Sequence, residues 1–436
     1  MELYRLIKDN EVKISELVKY QKYYETKNTE IEKRIKDDHK ANNKLKHSIA
    51  KYIVDVATGY FLGKPISYSS EDENYIEKVK EILDNNHEQD LNYEIAKQTD
   101  IKGYCYELLY TNQEGQVKMK RVDAENGILI KDNTLEENIT CFIRYWKEYK
   151  DLSECKKDEV NWYYKCEVYN SETVELYKVE NSRQVLIEEY RHLFNEVPVV
   201  EYVNNEECQG SIEPILDLVD EYDKLQSDTA NDFEEFTDCY MVWKGTQGAV
   251  DGEEFVRNIK EYRQIFLDND DTVEFLTKQM NDQANENYKD RVMQDIHKFS
   301  MTPNITDENF SGNASGVAMK YKLYGLEQKT SIKERKFKKG LERRFKLISN
   351  ILRISQAFED TKISMQFSRN FVQSNKEDVE TSLIASQILS KKTSLGLLPF
   401  IEDVNRELER IKEEEEERAN SIFSDIEREN GDIDED

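Results

Sequence analysis

An α+β architecture is what this chain predicts, and three observations carry the prediction. Apolar residues recur at three- and four-residue steps from Leu45 to about residue 100, the period changes to two between Gly103 and Pro198, and helical spacing returns through most of the remainder. Strands gathered in one block between helical blocks indicate an antiparallel sheet packed with helices rather than alternating βαβ units.

At 436 residues, 11% of them aromatic, the chain can bury a real core; its 5 prolines and 15 glycines leave room for long helices with solvated faces. A formal charge of -28 argues against a protein that coats nucleic acid, since phosphate binding is driven by Lys and Arg releasing counterions. The amino-terminal stretch has no apolar signal region, and no run of about 18 uncharged apolar residues occurs, so the expected compartment is the cytosol, with no membrane. Cys105, Cys141, Cys155, Cys166, Cys208 and Cys239 are scattered without a C-x-x-C pair and are expected to be reduced packing thiols.

Residues 1–40 carry a polar, tyrosine-rich helical pattern without a clear apolar face, expected as a peripheral arm. Leu45, Ile49, Ile53, Val56 and Tyr60 then mark an amphipathic helix that Gly63, Lys64 and Pro65 stop. A second amphipathic stretch covers 72–99. Beyond Gly103, "CYELLYTNQEGQVKMKRV" reads as a hairpin, and "ITCFIRYWKEY", "NWYYKCEVYN", "ETVELYKV" and "RQVLIEEYRHLF" as the strands of a meander. Together with the preceding helices this makes one α+β region, residues 41–210, with nothing that looks like a catalytic centre.

Residues 211–240 predict a single helix whose seam runs through Ile212, Ile215, Val219, Tyr222, Gln226, Thr229, Phe233, Phe236 and Tyr240. Its other faces hold Glu213, Asp217, Asp220, Glu221, Asp223, Asp228, Asp232, Glu234, Glu235 and Asp238 against Lys224, which is a negative wall. Residues 241–281 read as strand, helix, strand, turn, strand, and a helix over 282–301 returns from them to Thr302 and Pro303. A knob this small cannot bury a sufficient core alone, so it is expected to pack against copies of itself, most simply in a ring made by heterologous contacts.

From 302 to 315 the residues Asn304, Thr306, Asp307, Asn309, Ser311, Gly312, Asn313 and Ser315 predict a loop. A helical pattern resumes at about Ala314 and, if continuous to Ile354, spans about 60 Å with bends at Gly325 and Gly340. Its exposed positions are expected to include Lys320, Lys322, Lys329, Lys333, Arg335, Lys336, Lys338, Lys339, Arg343, Arg344 and Lys346, a basic face that can meet the acidic wall of a neighbouring copy or simply be solvated. "ISMQFSRNF" reads as a returning strand, and residues 376–412 as helix, a break at Gly396 and Pro399, and helix again. Residues 413–436 are acidic and of low complexity, expected to be disordered.

Asp268, Asn269, Asp270 and Asp271, with Glu274 and Lys278, keep one alternative open, a metal-dependent, nuclease-like DNA-processing enzyme. Their spacing fits no two-metal motif, and a hairpin turn accounts for them. The five histidines are dispersed, and "SGNASG" lacks the lysine of a phosphate-cradling loop, so no cofactor is indicated.

Three collinear stretches, "AKYIVDVATGYFLGKPI", "SIEPILDLVDEYDKLQSDTANDFEEF" and "TPNITDENFSGNASGVAMKYKLYGLEQKTSIKERKFKKGLERR", resemble the portal (connector) proteins of tailed bacteriophages of Gram-positive hosts, over about residues 40–410. The resemblance implies the portal fold: a ring of about twelve subunits at one capsid vertex, with long helices lining and bracing a central channel for double-stranded DNA. It implies no enzyme activity and no metal, with energy supplied by a partner ATPase, the terminase large subunit. Further implied partners are the major capsid and scaffold proteins and a head–tail adaptor, and the implied location is the virion, with assembly in the host cytoplasm.

Placed on this sequence, residues 1–40 are an amino-terminal arm, 41–210 the wing, 211–240 and 282–301 the stem helices, 241–281 the clip, 302–315 the tunnel loop, 316–375 the long wing helix with its returning strand, and 376–412 the crown. Asn304, Ile305, Thr306, Asp307, Glu308, Asn309, Phe310, Ser311, Gly312 and Asn313 are then the DNA-facing loop residues. Its polar side chains would touch phosphates transiently, while Ile305 and Phe310 either press on the groove or pack into a subunit. Asp228, Asp232, Glu235, Lys289, Arg291 and Lys298 are the channel-lining candidates. A lumen rich in carboxylates gives DNA few deep binding wells.

Overall fold

The computed structural model describes residues 2–35, 41–149, 162–180, 182–236, 240–244, 272–276, 282–305, 316–356, 362–370, 375–398, 401 and 404–431. The chain opens with helices α1 (Leu3–Tyr24), α2 (Thr29–Lys33) and α3 (Ile49–Leu62), strand β1 (Ser67–Ser69), and helices α4 (Glu73–Asp84) and α5 (Glu88–Lys102). The predicted 72–99 stretch is thus two helices, parted where His87 takes a left-handed backbone, φ 50°. Asp72 caps α4 by accepting from the Tyr75 amide, and Gly103, with φ +83°, ends α5 in the conformation that glycine adopts without strain.

Eight strands follow: β2 (Tyr104–Thr111), β3 (Val117–Val122), β4 (Gly127–Lys131), β5 (Ile139–Tyr149), β6 (Trp162–Tyr169), β7 (Thr173–Glu180), β8 (Arg183–Arg191) and β9 (Val199–Val203). They form two antiparallel sheets, β3-β2-β9 and the meander β4-β5-β6-β7-β8. Then come α6 (Leu216–Phe236), the paired strands β10 (Tyr240–Lys244) and β11 (Thr272–Leu276), α7 (Asp282–Phe299), α8 (Gly316–Lys322) and α9 (Tyr324–Gln356). The predicted single helix over 211–240 is a 3-10 turn, Glu213–Ile215, followed by α6, with Tyr240 already in a strand. Strand β12 (Ser364–Gln366) pairs with β1, so the chain does return to the first sheet-and-helix region. Helices α10 (Asn375–Ala385), α11 (Lys391–Leu395) and α12 (Val404–Gly431) close the chain.

The largest core joins the three-stranded sheet to α9. Phe337, Leu341, Phe345, Ile348 and Leu352, at three- and four-residue steps, pack on Tyr202, Leu109, Val79 and Phe61. Gly340 lets helix and sheet approach, since a Cβ there would sit 2.5 Å from the Tyr202 ring.

Four expectations need correction. The amino-terminal arm is not peripheral: Leu3 and Ile7 are buried on the five-stranded sheet and Tyr23 in the core beneath α6, so α1 bridges two regions. Its apolar contacts are two clusters, one at each end, which a search for a continuous stripe overlooks. The basic face of α9 is not all exposed. Arg344 is fully buried, with Nε 2.9 Å from Glu107, Nη1 2.8 Å from Glu88 and Nη2 2.8 Å from Asn92; Lys333 is buried 2.5 Å from Asp100. Buried carboxylates on α5 and β2 require such partners. The long helix is interrupted at Leu323, between α8 and α9, rather than at its glycines. Finally, α12 runs through the glutamate block to Gly431, because Glu is a good helix former and Lys391 reaches Glu415 at 2.8 Å.

Cys105, Cys141 and Cys166 are buried, where burial raises their thiol pKa values, to about 11 for Cys141 and about 12 for Cys166. Cys208 is exposed, unlike the expected packing thiol, and Cys155 and Cys239 lie outside the described residues. No described helix is long and apolar enough to cross a membrane.

Candidate nucleic-acid interface

Helices α6 and α7 share an apolar cluster with α3. Ile215, Leu216 and Val219 meet Val292 and Ile296, with Ile49, Ile53 and Val54 beneath them. Of the predicted α6 seam, Ile212, Ile215 and Val219 are buried, but Phe233 is 58% exposed. Toward its carboxyl end the helix buries a polar row instead: Asp223, Ser227 and Asn231, four residues apart.

That row receives the segment between α1 and α3. Asp223 accepts from Asn28 Nδ2, from the His47 amide at 2.9 Å and from His47 Nδ1 at 2.8 Å. The Leu45 amide donates to Ser227 Oγ at 2.9 Å and the Asn43 amide to Asn231 Oδ1 at 2.7 Å. The negative wall is therefore partly covered by the chain's own strap. Upstream, Tyr23 donates to Asp220 at 2.6 Å, and burial holds the Asp220 carboxyl above its ordinary pKa despite that bond. Three small polar residues at helical spacing were the available signal for the strap.

The candidate lining residues separate. Asp228 is paired with Arg34 from the strap, and Asp232 is half-buried. Glu235 lies in the last turn of α6. Lys289 is buried, 2.7 Å from Glu286, because it shares a face of α7 with Val292 and Ile296. Arg291 and Lys298 are exposed, the latter 5.5 Å from the Phe299 ring centre.

Three elements converge where α7 ends. His297 Nδ1 donates to the Thr302 carbonyl at 2.9 Å, and Lys329 Nζ from α9 donates to the Ser300 carbonyl at 3.2 Å. From α3, the Tyr52 hydroxyl donates to the Pro303 carbonyl at 3.2 Å and accepts from the Ile305 amide at 2.8 Å. The Tyr52 ring stands edge-on to His297, centroids 5.9 Å apart. Between these bonds Met301 adopts φ 52°, a left-handed conformation that costs a side-chain-bearing residue about 1–2 kcal/mol. The surrounding bonds offset that cost and fix the direction in which the chain leaves α7.

Below this point Asp100 anchors Lys333, Thr58 at 2.8 Å and Ser211 at 2.6 Å. Burial alone would raise the Asp100 pKa, but Lys333 and Lys329 hold it below the ordinary carboxylate value. Burial pushes Lys329 down to about 8, against the pull of Asp100.

Of the predicted loop residues, Asn304 is half-buried and Ile305 is 49% exposed at this root. Thr306, Asp307, Glu308, Asn309, Phe310, Ser311, Gly312 and Asn313 lie outside the described residues, as do Asp268, Asn269, Asp270, Asp271 and Lys278. Among the described residues no group of three or more His, Cys, Asp or Glu side chains is placed to hold a metal ion. Sequence reasoning missed Tyr52 and His297 because their roles depend on contacts between elements far apart in the chain.

Comparison with known proteins adds an end-to-end relationship. The family model described as phage portal protein, SPP1 Gp6-like, matches residues 3–421. A portal protein of Bacillus phage SPP1 is 27% identical over 412 residues, covering 91% of this chain and 81% of that protein. A portal protein of Clostridium phage phiCD119 is 24% identical over 434 residues, covering 94% of this chain and 95% of its own length.

Proposed function

This chain belongs to the SPP1 Gp6-like phage portal family, and on that premise we propose that about twelve copies form a ring at one capsid vertex, the conduit for double-stranded DNA in packaging and ejection. The observation that carries the reading is the collinear family match over residues 3–421, which includes both helices of the α6–α7 pair and the excursion between them. In this reading α6 and α7 are the stem, residues 241–281 the clip, 302–315 the tunnel loop, 41–210 with 316–375 the wing, and 376–412 the crown.

The physics of the parts supports the assignment. Among the described residues of this segment strands β10 and β11 pair as two strands, and a pair of that size is not independently stable, which favours a core shared with neighbouring copies. The root at His297–Ile305 is held by α3 and α9, so a loop leaving it is aimed by a fixed scaffold. Exposed acidic residues of the stem repel the duplex, while Arg291 and Lys298 supply local attraction. Their weak balance suits sliding without sequence readout.

The ring does no chemistry in this proposal. A terminase ATPase supplies the work, and the head–tail adaptor, capsid and scaffold proteins dock on the ring. End-on electron microscopy with native mass measurement tests the reading. The expected particle has about twelve subunits and a hole wide enough for a duplex; a monomer, or a closed particle, refutes it.

A further inference from the structure

A cleft of about 510 Å³ opens between the two sheets, with the β2–β3 hairpin as one wall and the face of β5 to β8 as the other. The register of the meander explains its floor. Directly paired residues of antiparallel strands project to the same face, so Phe142, Tyr169, Val174 and Tyr190 form one row across four strands. Arg144, Glu167, Leu176 and Glu188 form the next row. Phe142, Tyr169 and Val174 are buried, whereas Tyr190 is 47% exposed, so an aromatic floor reaches the surface at Tyr190. Tyr169, Val174 and Tyr190 all line the cleft, and Phe194 joins them.

The charge of the cleft runs against that of the chain. Lys120, Arg121, Arg144 and Arg191 line it against Asp123 and Glu167, a local positive excess on a chain of -28. Two of these cations are already committed. Arg121 pairs with Glu94 at 2.8 Å and Asp123 at 3.0 Å, and Arg144 pairs with Glu167 at 2.8 Å while lying 4.5 Å from the Trp146 ring centre. Lys120 on β3 and Arg191 on β8 are different: they stand one on each wall, both exposed, with no side-chain ion pair among the described residues.

An apolar floor between two free cations suits a ligand that is apolar in the middle and negative on either side. The acidity of the remaining surface repels such a ligand elsewhere and so directs it here. We propose that this cleft docks an acidic peptide segment of a partner protein. One aromatic or branched apolar side chain of the segment rests against Tyr169, Val174 and Tyr190, and flanking carboxylates pair with Lys120 and Arg191. Every lining residue belongs to one subunit, so the inference goes beyond the ring reading and does not rest on it.

The test uses the full chain, as it assembles and as separated subunits. The probe is a fluorescein-labelled synthetic peptide with four glutamates on either side of a phenylalanine, followed by fluorescence anisotropy at low salt; a second peptide has serine at the centre. A Lys120→Glu, Arg191→Glu double variant is compared with Lys338→Glu, Lys339→Glu, an equal charge change on α9. All four side chains are exposed, and circular dichroism confirms that both variants fold. The first variant is expected to bind the phenylalanine peptide about tenfold more weakly than wild type, since each reversal replaces an attraction by a repulsion, and the second to bind it as wild type does. Equal losses in both variants mean general attraction to basic surface and overturn the proposal. Equal binding of the serine peptide removes the anchor, and an unbound phenylalanine peptide removes the cleft; either overturns it. Binding to separated subunits alone means that a neighbouring copy covers the cleft, which overturns docking while leaving the ring reading intact.

Discussion

Replacing Arg344 by Met removes the only described cation bonded directly to Glu88 and Glu107 while keeping most of the side-chain volume. In the native structure the guanidinium makes three buried bonds, to Glu107 at 2.9 Å, Glu88 at 2.8 Å and Asn92 at 2.8 Å. Glu107 Oε1 has no hydrogen-bond partner even then, so the site has no spare donor with which to recover. Breaking a buried ion pair from one side costs about 3–5 kcal/mol, and at about 1 °C per kcal/mol for a chain of this length the melting temperature is expected to fall by about 3–5 °C.

The loss depends on pH with a definite sign. Burial already raises the Glu88 pKa above its ordinary value although Arg344 opposes the shift. A carboxyl with a raised folded pKa favours folding below its unfolded pKa, and that advantage is lost as pH rises through the folded value. Removing Arg344 raises that value further, so the variant is expected to lose more at pH 8 than at pH 5. Urea denaturation at both values measures it. A cost under about 1 kcal/mol at pH 8, or one identical at the two pH values, refutes the reasoning.

Four further outcomes are expected. Tyr52→Phe deletes both bonds at the root of the loop; about 1 kcal/mol of stability should go, with faster exchange of the Ile305 amide, whereas unchanged exchange would show that Tyr52 does not hold the root. Gly340→Ala places a Cβ against Tyr202 and should cost about 1–3 kcal/mol by thermal melting. Lys329 has a folded pKa near 8 against an ordinary 10.5, so its contribution to stability should rise between those values; Lys329→Met should flatten that part of the pH profile. Asp223→Ala strips the acceptor from Asn28 and His47 and should expose the strap to limited proteolysis, with about 1–3 kcal/mol lost.

Much of this molecule is legible along the chain because the relevant physics is local. Alternation over 103–198 encodes strands, the spacing of Phe337, Leu341, Phe345 and Ile348 encodes a helix with one packed face, and Gly63 ends a helix as its position suggests. The collinear stretches that mark the portal family are likewise a property of sequence alone. Charge pattern was a poorer guide. Lys333 and Arg344 look like members of a solvated basic face, yet they are buried because Asp100, Glu88 and Glu107 come from other elements to meet them. Asp223 looked like part of a bare acidic wall until the strap folded over it.

The sequence by itself determined where the strand block and the apolar-faced helices lie and to which family the chain belongs, since periodicity and motif order are written into consecutive residues. Tertiary structure alone decided which charges are paired and buried and what steers the chain out of α7. A side chain's partner depends on elements distant in sequence, and the electrostatic cost of burial is set only when those elements meet.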